Sequence, residues 1–308
     1  MTLELLVACM FAVVSGMNDG GALLATGLKL PSVRPLTGVL TLVVLIALVP
    51  LVTSQVALTF VTRLASFDGP GGRQAMTVGV LVAVAVAMTL SARGRPTSLT
   101  LAVVGALTGA GLGWGLPVSP GWVVLVLAVG LASPFVGALV SWAVTRLLTG
   151  LSTSGALRRW HVAGFWLQGL AYAANDGQKM LAVFLIATGT GGLPVTAATA
   201  GLFALGALYG MPRAGRTLSR EILASRPLHG VAAELGAGLT VVGCAAAGTP
   251  VSMTQAIAGG LIGAGVSHGG GRVRWYAAVK IVSAWMLTLP VSLVLAAGAA
   301  FFVKEVLG

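Results

Sequence analysis

The sequence predicts an all-α polytopic membrane protein, and three observations carry that prediction. Mean hydropathy over the 308 residues is +0.99, with 57% of them hydrophobic. Only 8% are charged, against ~25% in a soluble globular chain. Ten apolar stretches follow one another, and at ~20 residues per bilayer crossing they occupy about two-thirds of the chain. No segment remains for a separate soluble catalytic or nucleic-acid-binding domain. The formal net charge of +11, from 18 Lys+Arg against 7 Asp+Glu, therefore reads as positive charge gathered in cytoplasmic loops rather than a nucleic-acid surface.

The expected spans are residues 3–28, 36–61, 75–91, 97–113, 120–147, 160–188, 193–211, 231–247, 250–267 and 275–303. The first begins after Met-Thr-Leu-Glu, with no basic region and no small-residue cleavage site, so it is expected to be retained rather than removed as a signal peptide. Loops between spans are short. Assigning charges to alternate sides places Lys29, Arg34, Arg93, Arg95, Arg146, Arg158, Arg159, Arg213, Arg216, Arg220, Arg226, Arg272 and Arg274 together, and only Arg63, Arg73 and Lys304 opposite. The basic-rich side is expected to be cytoplasmic, which puts both termini outside a cytoplasmic (inner) membrane. Trp114 and Trp122 near the outer loops, and Trp160, Trp275 and Tyr276 near the inner ones, fit two aromatic belts. Cys9 and Cys244 stand alone in different spans, and His161, His229 and His268 are scattered near span ends, so neither a disulfide framework nor a metal cluster is indicated and no cofactor is expected.

The chain divides in two. Its only two asparagines, Asn18 and Asn175, are each followed by an aspartate, Asp19 and Asp176, although there are only three aspartates in all. Chance pairing of this kind is on the order of one in ten thousand at background composition. The pairs lie 157 residues apart, and Arg-Pro-Thr-Ser-Leu-Thr at 95–100 is matched 154 residues later by Thr-Pro-Val-Ser-Met-Thr at 249–254. Residues 1–149 and 150–308 therefore read as two five-span repeats. Five is odd, so the second repeat enters the membrane from the opposite side. Inverted repeats around one central site are characteristic of secondary transporters.

Asp19 and Asp176 lie in spans otherwise nearly free of charge, where an ionised carboxylate costs ~2.5–3.5 kcal/mol on the insertion scale. With Asn18 and Asn175 they are the expected coupling-ion ligands. Gly16, Gly20, Gly21 and Gly177 flank them, and a helix break there would free carbonyls to join a cation site. Glu234, in the eighth span, is a further cation or proton candidate, with a plain interfacial role as the alternative. Pro96 and Pro250 suit a first helical turn, and Thr97, Ser98, Thr100, Ser252 and Thr254 supply hydroxyls at helix N-termini, which bind anions. Two readings stay open for these segments: tight surface turns, or hairpins whose tips re-enter the membrane. Gln178 and Lys179, in the polar run Asn-Asp-Gly-Gln-Lys, are placed with the anion, because Lys179 is too deep to snorkel; Lys280 is expected to reach the inner surface. An intramembrane aspartyl protease would leave the adjacent asparagines, Lys179 and the hairpin segments unexplained, and a non-transporting receptor on the same fold is the other competitor.

These residues resemble the PiT family of inorganic phosphate transporters. Gly16-Met17-Asn18-Asp19, Asn175-Asp176-Gly177-Gln178-Lys179, Gly248-Thr249-Pro250-Val251-Ser252-Met253-Thr254-Gln255 and Trp285-Met286-Leu287-Thr288-Leu289-Pro290 are similar to its signature segments, and the similarity covers nearly the whole chain. The resemblance implies a lipid-embedded homodimer that binds an oxyanion between hairpin tips and Na+ or H+ near the Asn-Asp segments. The sequence departs from the pattern at Leu101 and Gln255, where the family has histidine, at Leu99 and Met253, where it has threonine, and before Asn18, where His-Gly is usual. Residues 148–159 replace a long central loop. The departures bear on substrate, since relatives of the family carry sulfate.

Overall fold

The computed structural model describes residues 2–27, 30–92, 97–151, 153–217, 226–269 and 273–307. Arg93, Arg95 and Pro96, which precede the first hairpin segment, fall outside them. In chain order the helices are α1 (Leu3–Ser15), π1 (Gly16–Gly20), α2 (Gly21–Gly27), α3 (Pro35–Val52), α4 (Gln55–Leu58), π2 (Thr59–Arg63), α5 (Gly72–Ala92), α6 (Leu99–Trp114), α7 (Pro120–Leu151), α8 (Ser154–Tyr172), π3 (Ala173–Gly177), α9 (Gln178–Thr188), α10 (Leu193–Thr217), α11 (Pro227–Ala246), α12 (Met253–Val266) and α13 (Trp275–Leu307). Among the described residues the only β pairing is an isolated bridge between Ala65 and Val118. Among the described residues seven helices are long and apolar enough to cross a membrane, and α6 and α12 are shorter apolar helices. The protein is a multi-pass, all-α membrane protein.

Small residues set the packing, as expected where lipid removes the hydrophobic drive for helix association. On α6, Gly105, Gly109 and Gly113 lie against the carbonyls of Leu289, Leu293 and Ala297 on α13, leaving no room for a Cβ. On α12, Gly259 and Gly263 lie the same way against Pro134 and Ala138 of α7. On α10, Gly206 and Gly210 meet the carbonyls of Val13 and Met17, while Gly16 meets that of Phe203. Helix α6 thus packs on α13, and α12 packs on α7.

The second expected span is interrupted. Helix α3 stops at Val52, Thr53 and Ser54 are extended or irregular, and a short helix, α4 with π2, follows. Its first N–H groups are capped by Gln178, whose Oε1 accepts from Val56 at 2.8 Å and Ala57 at 3.2 Å. No such break occurs at Asn18 or Asn175. There the chain stays helical and winds into a single π turn, a feature that recurs at functional sites. The glycines accommodate the wider turn without ending the helix.

Helices α6 and α12 run in opposite directions away from a common point. Residues 115–119 join the end of α6 to the start of α7, and there the Ser66 N–H donates to the Pro117 carbonyl and the Ser119 N–H to the Leu64 carbonyl, each at 3.1 Å. The end of α12 instead reaches the far end of α7, where His268 Nε2 is 3.4 Å from Thr149 Oγ1. Helix α7 has 32 residues, about 48 Å at 1.5 Å per residue.

Candidate functional site

The starts of α6 and α12 meet inside the protein. Thr97, Ser98 and Thr100 are buried, as are Thr249 and Ser252, and Thr100 Oγ1 donates to the Val251 carbonyl at 3.1 Å. The described starts of both helices thus lie in the interior rather than at the surface. Ser98 Oγ accepts from the Leu101 N–H at 3.2 Å and Ser252 Oγ from the Gln255 N–H at 3.4 Å, so each serine caps its own helix. Ser252 also shares a 2.9 Å hydrogen bond with Thr254. The N–H groups of Leu99, Thr100, Met253 and Thr254 precede the first intrahelical bonds, so two helix starts with N–H groups free of intrahelical partners meet at this junction.

Lys179 joins the two starts. It is 2% exposed, and its ammonium donates to Asp176 Oδ1 at 2.7 Å, Thr100 Oγ1 at 2.7 Å and the Val251 carbonyl at 2.9 Å. An ammonium has three protons, so all are engaged. Asn175 completes the cluster: its Nδ2 donates to Asp176 Oδ2 at 2.8 Å and to the Val251 carbonyl at 2.7 Å, and its Oδ1 accepts from the Val251 N–H at 3.1 Å. A buried pair of opposite charges in which both carboxylate oxygens and all three ammonium protons are hydrogen-bonded is the form in which such a pair persists in low dielectric.

Asp19 has a different setting. It is 3% exposed and within electrostatic reach of Asp176 and Lys179, and its neighbour Asn18 donates to its Oδ1 at 3.0 Å. Asp176 is neutralised by Lys179, whereas no basic side chain of the described residues pairs with Asp19. The formal charge of the three is −1.

Other predicted residues lie elsewhere. Gln178 is committed to the fold: besides capping α4, its Nε2 donates to the Ala174 carbonyl at 2.6 Å and to Thr53 Oγ1 at 3.3 Å. Glu234 sits twelve residues before the end of α11, about 18 Å from the tip, where it pairs with His161 Nε2 at 3.5 Å; His161 Nδ1 is 2.8 Å from Ser32 Oγ. His229 and His268, scattered in sequence, come within 3.3 Å of each other. Tyr172 was not among the sequence candidates. It is fully buried against Phe203, with ring centroids 5.0 Å apart, and within electrostatic reach of both Asp19 and Asp176, while its hydroxyl has no hydrogen-bond partner among the described residues. Its only sequence signal is that one of three tyrosines stands three residues before Asn175.

With this geometry in hand, the chain can be set beside known proteins. A family model described as "Phosphate transporter family" matches residues 151–296. A "Probable low-affinity inorganic phosphate transporter" of Mycobacterium leprae is 28% identical over 308 aligned residues, covering 93% of this chain and 74% of that one. Proteins of the same description from Bacillus subtilis and Rhizobium meliloti are 25% identical over 99% of this chain and 97% of the relative, and 32% identical over 66% of each. Among solved structures, one described as "The sodium-dependent phosphate transporter" superposes with a TM-score of 0.79 at 17% identity, covering 99% of this chain and all of that one. That likeness is one of fold.

Proposed function

The chain belongs to the phosphate transporter family, and on that premise we propose that it is a secondary transporter that carries inorganic phosphate across the cytoplasmic membrane together with a cation. It is not an enzyme. The observation that carries the proposal is the junction at Lys179, where the starts of α6 and α12 hold one buried cation between two sets of anion-binding groups.

In this arrangement the ammonium is fully engaged, so an arriving oxyanion takes the place of Thr100 or of the Val251 carbonyl on Lys179. The hydroxyls of Ser98, Thr100, Ser252 and Thr254 and the helix-start N–H groups then turn to the anion. Binding thereby loosens the bond that holds the two helix starts together. Such a linkage couples occupancy to motion of the tips, as alternating access requires. The coupling cation sits at Asp19, whose carboxylate lacks a basic partner, with Asn18 Oδ1 and carbonyls of the π turn as the remaining oxygen ligands. Asp176 and Asn175 hold Lys179 in place. Sodium is favoured as the cation by the name of the structural relative.

We read the architecture as ten segments in two inverted repeats, residues 1–149 and 150–308. The π turns that carry Asn-Asp start 157 residues apart, at Gly16 and Ala173, and α6 and α12 start 154 apart. The opposed directions of α6 and α12 support the inversion, and the join falls at the end of α7. Lys304 lies beside Gly115 at the end of the molecule where α7 begins, opposite the end that gathers Arg146, Arg158 and Arg159, which supports an outward-facing C-terminus. The homodimer and the choice of phosphate over sulfate belong to the same proposal.

Uptake of radiolabelled phosphate and sulfate into proteoliposomes, under a Na+ gradient or a proton gradient in turn, tests it. Saturable phosphate uptake that requires one of the two gradients is expected. Sulfate uptake that phosphate does not inhibit, or no uptake of either anion, would overturn it. Cross-linking in native membranes reports the dimer.

A further inference from the structure

At the end of the molecule where α7 begins, the described residues place one cation against a hairpin tip with no acid beside it. Arg63 ends the short helix formed by α4 and π2. Its Nη1 donates to Thr59 Oγ1 at 3.4 Å and its Nη2 to Gln55 Oε1 at 3.1 Å, while the guanidinium lies 4.6 Å from the centroid of the Trp122 ring. Thr59 in turn donates to the Gly248 carbonyl at 2.6 Å. A Cβ on Gly248 would come within 2.7 Å of Arg63 Nη1, so the guanidinium rests on the turn that leads into Thr249–Thr254.

Charge distinguishes this group from its surroundings. Lys179 is neutralised by Asp176. Arg63 has no carboxylate within 4 Å among the described residues; its partners are a neutral amide, a hydroxyl and an aromatic face. These hold the planar fork without cancelling its charge, and two of the five N–H donors are committed. From Gly248 to Val251, the carbonyl bound to Lys179, is three residues, at most about 11 Å of chain. A half-buried, oriented, uncompensated guanidinium at that distance raises the local concentration of anions at the mouth of the site.

We propose that Arg63 is the anion-capture residue of the outer mouth: it binds the oxyanion first and passes it along the Gly248–Val251 turn to the junction at Lys179. The inference rests on the functional reading above, including its outward orientation for this end. Capture by Arg63 acts on encounter, before the tips move, so it governs KM and leaves kcat nearly unchanged. It also makes KM sensitive to ionic strength, because the charge is screened at the mouth.

The test is phosphate uptake by cells whose other phosphate carriers are deleted, with Na+ held fixed and choline chloride added from low to high ionic strength. Arg63→Gln is expected to raise KM about 2- to 20-fold at low salt, the span for one charge at ~10 Å between aqueous and protein-surface screening, with kcat within about twofold. Arg63→Lys keeps the charge, so its KM should stay within about threefold of the unmodified chain. Added salt should raise the KM of the unmodified chain toward that of Arg63→Gln. An unmoved KM, or a fall in kcat alone, would overturn the inference and leave Arg63 as a clamp on the hairpin. Should Arg63→Gln fail to reach the membrane, a salt-independent KM in the unmodified chain and in Arg63→Lys overturns it equally. Absence of phosphate uptake by the unmodified chain would instead sink the functional reading itself.

Discussion

Removing Lys179 exposes what the junction is made of. Lys179→Met keeps most of the side chain's volume but deletes three hydrogen bonds and leaves Asp176, 5% exposed, as a buried carboxylate that keeps only the Asn175 amide. Breaking a buried pair from one side costs about 3–5 kcal/mol. Asp176→Asn alone has the converse defect, an uncompensated ammonium. The double variant Asp176→Asn/Lys179→Met removes both charges, and replacing a whole buried pair by neutral groups is often close to neutral. On those figures the two single costs together come to roughly 6–10 kcal/mol against a double cost near zero, so the double-mutant cycle is expected to show a coupling of several kcal/mol, well beyond the ~0.5 kcal/mol scatter of independent sites. Equilibrium unfolding of the purified protein in mixed detergent micelles measures it. The same double variant should remain unable to transport, because folding needs only that the charges match, whereas anion binding needs the cation. Additive destabilisation would refute the pairing, and a double variant that transports at the unmodified rate would refute the role of Lys179 at the site.

Three further expectations follow the same logic. Asp19→Asn preserves shape and the contact with Asn18 while deleting the one unpaired charge, so uptake should collapse with the yield of folded protein little changed; unaltered uptake would remove Asp19 from the cation site. Ser98→Ala and Ser252→Ala should each weaken phosphate binding by about 1–3 kcal/mol and cost ~1 kcal/mol of stability through the lost cap, to be read by calorimetric titration and unfolding on one preparation. Gly109→Leu places a side chain into the Leu293 carbonyl of α13, and the protein should fail to accumulate in the membrane, whereas Gly121→Leu, with open space around it, should be silent.

How much of this was legible in the sequence depends on the range over which each residue acts. Hydropathy is local, and the spans agree with the helices to within a few residues, as in 75–91 against Gly72–Ala92. The Asn-Asp pairs and the hairpin segments were visible because each occurs twice. That the hairpin starts touch each other was left open between two readings, since a bond from Thr100 to Val251 spans 151 residues and has no local trace. The break at Thr53 and Ser54 was missed for the same reason: the side chain that caps α4 comes from Gln178, more than 120 residues away. Gln178 was placed with the anion because it stands beside Lys179, but neighbours in a helix face different directions. The pairing of His161 with Glu234 and of His229 with His268 likewise needed the fold. At Gly16–Gly20 the glycines signalled irregular backbone correctly, but composition does not distinguish a break from a π turn.

The contact between α6 and α13 also bears on how the molecule comes to exist. Ribosomal synthesis delivers α6 before residues 115–288, and the three-glycine face of α6 has its partner only when residues 289–297 emerge. Until then an exposed seam of backbone lies in lipid with nothing to cover it. Packing of that face therefore waits on α13. Chains cut short before α13 would hold every residue of the Lys179 junction and still lack the brace for one of its two sides, which makes the arrival of α13 a late checkpoint for that side.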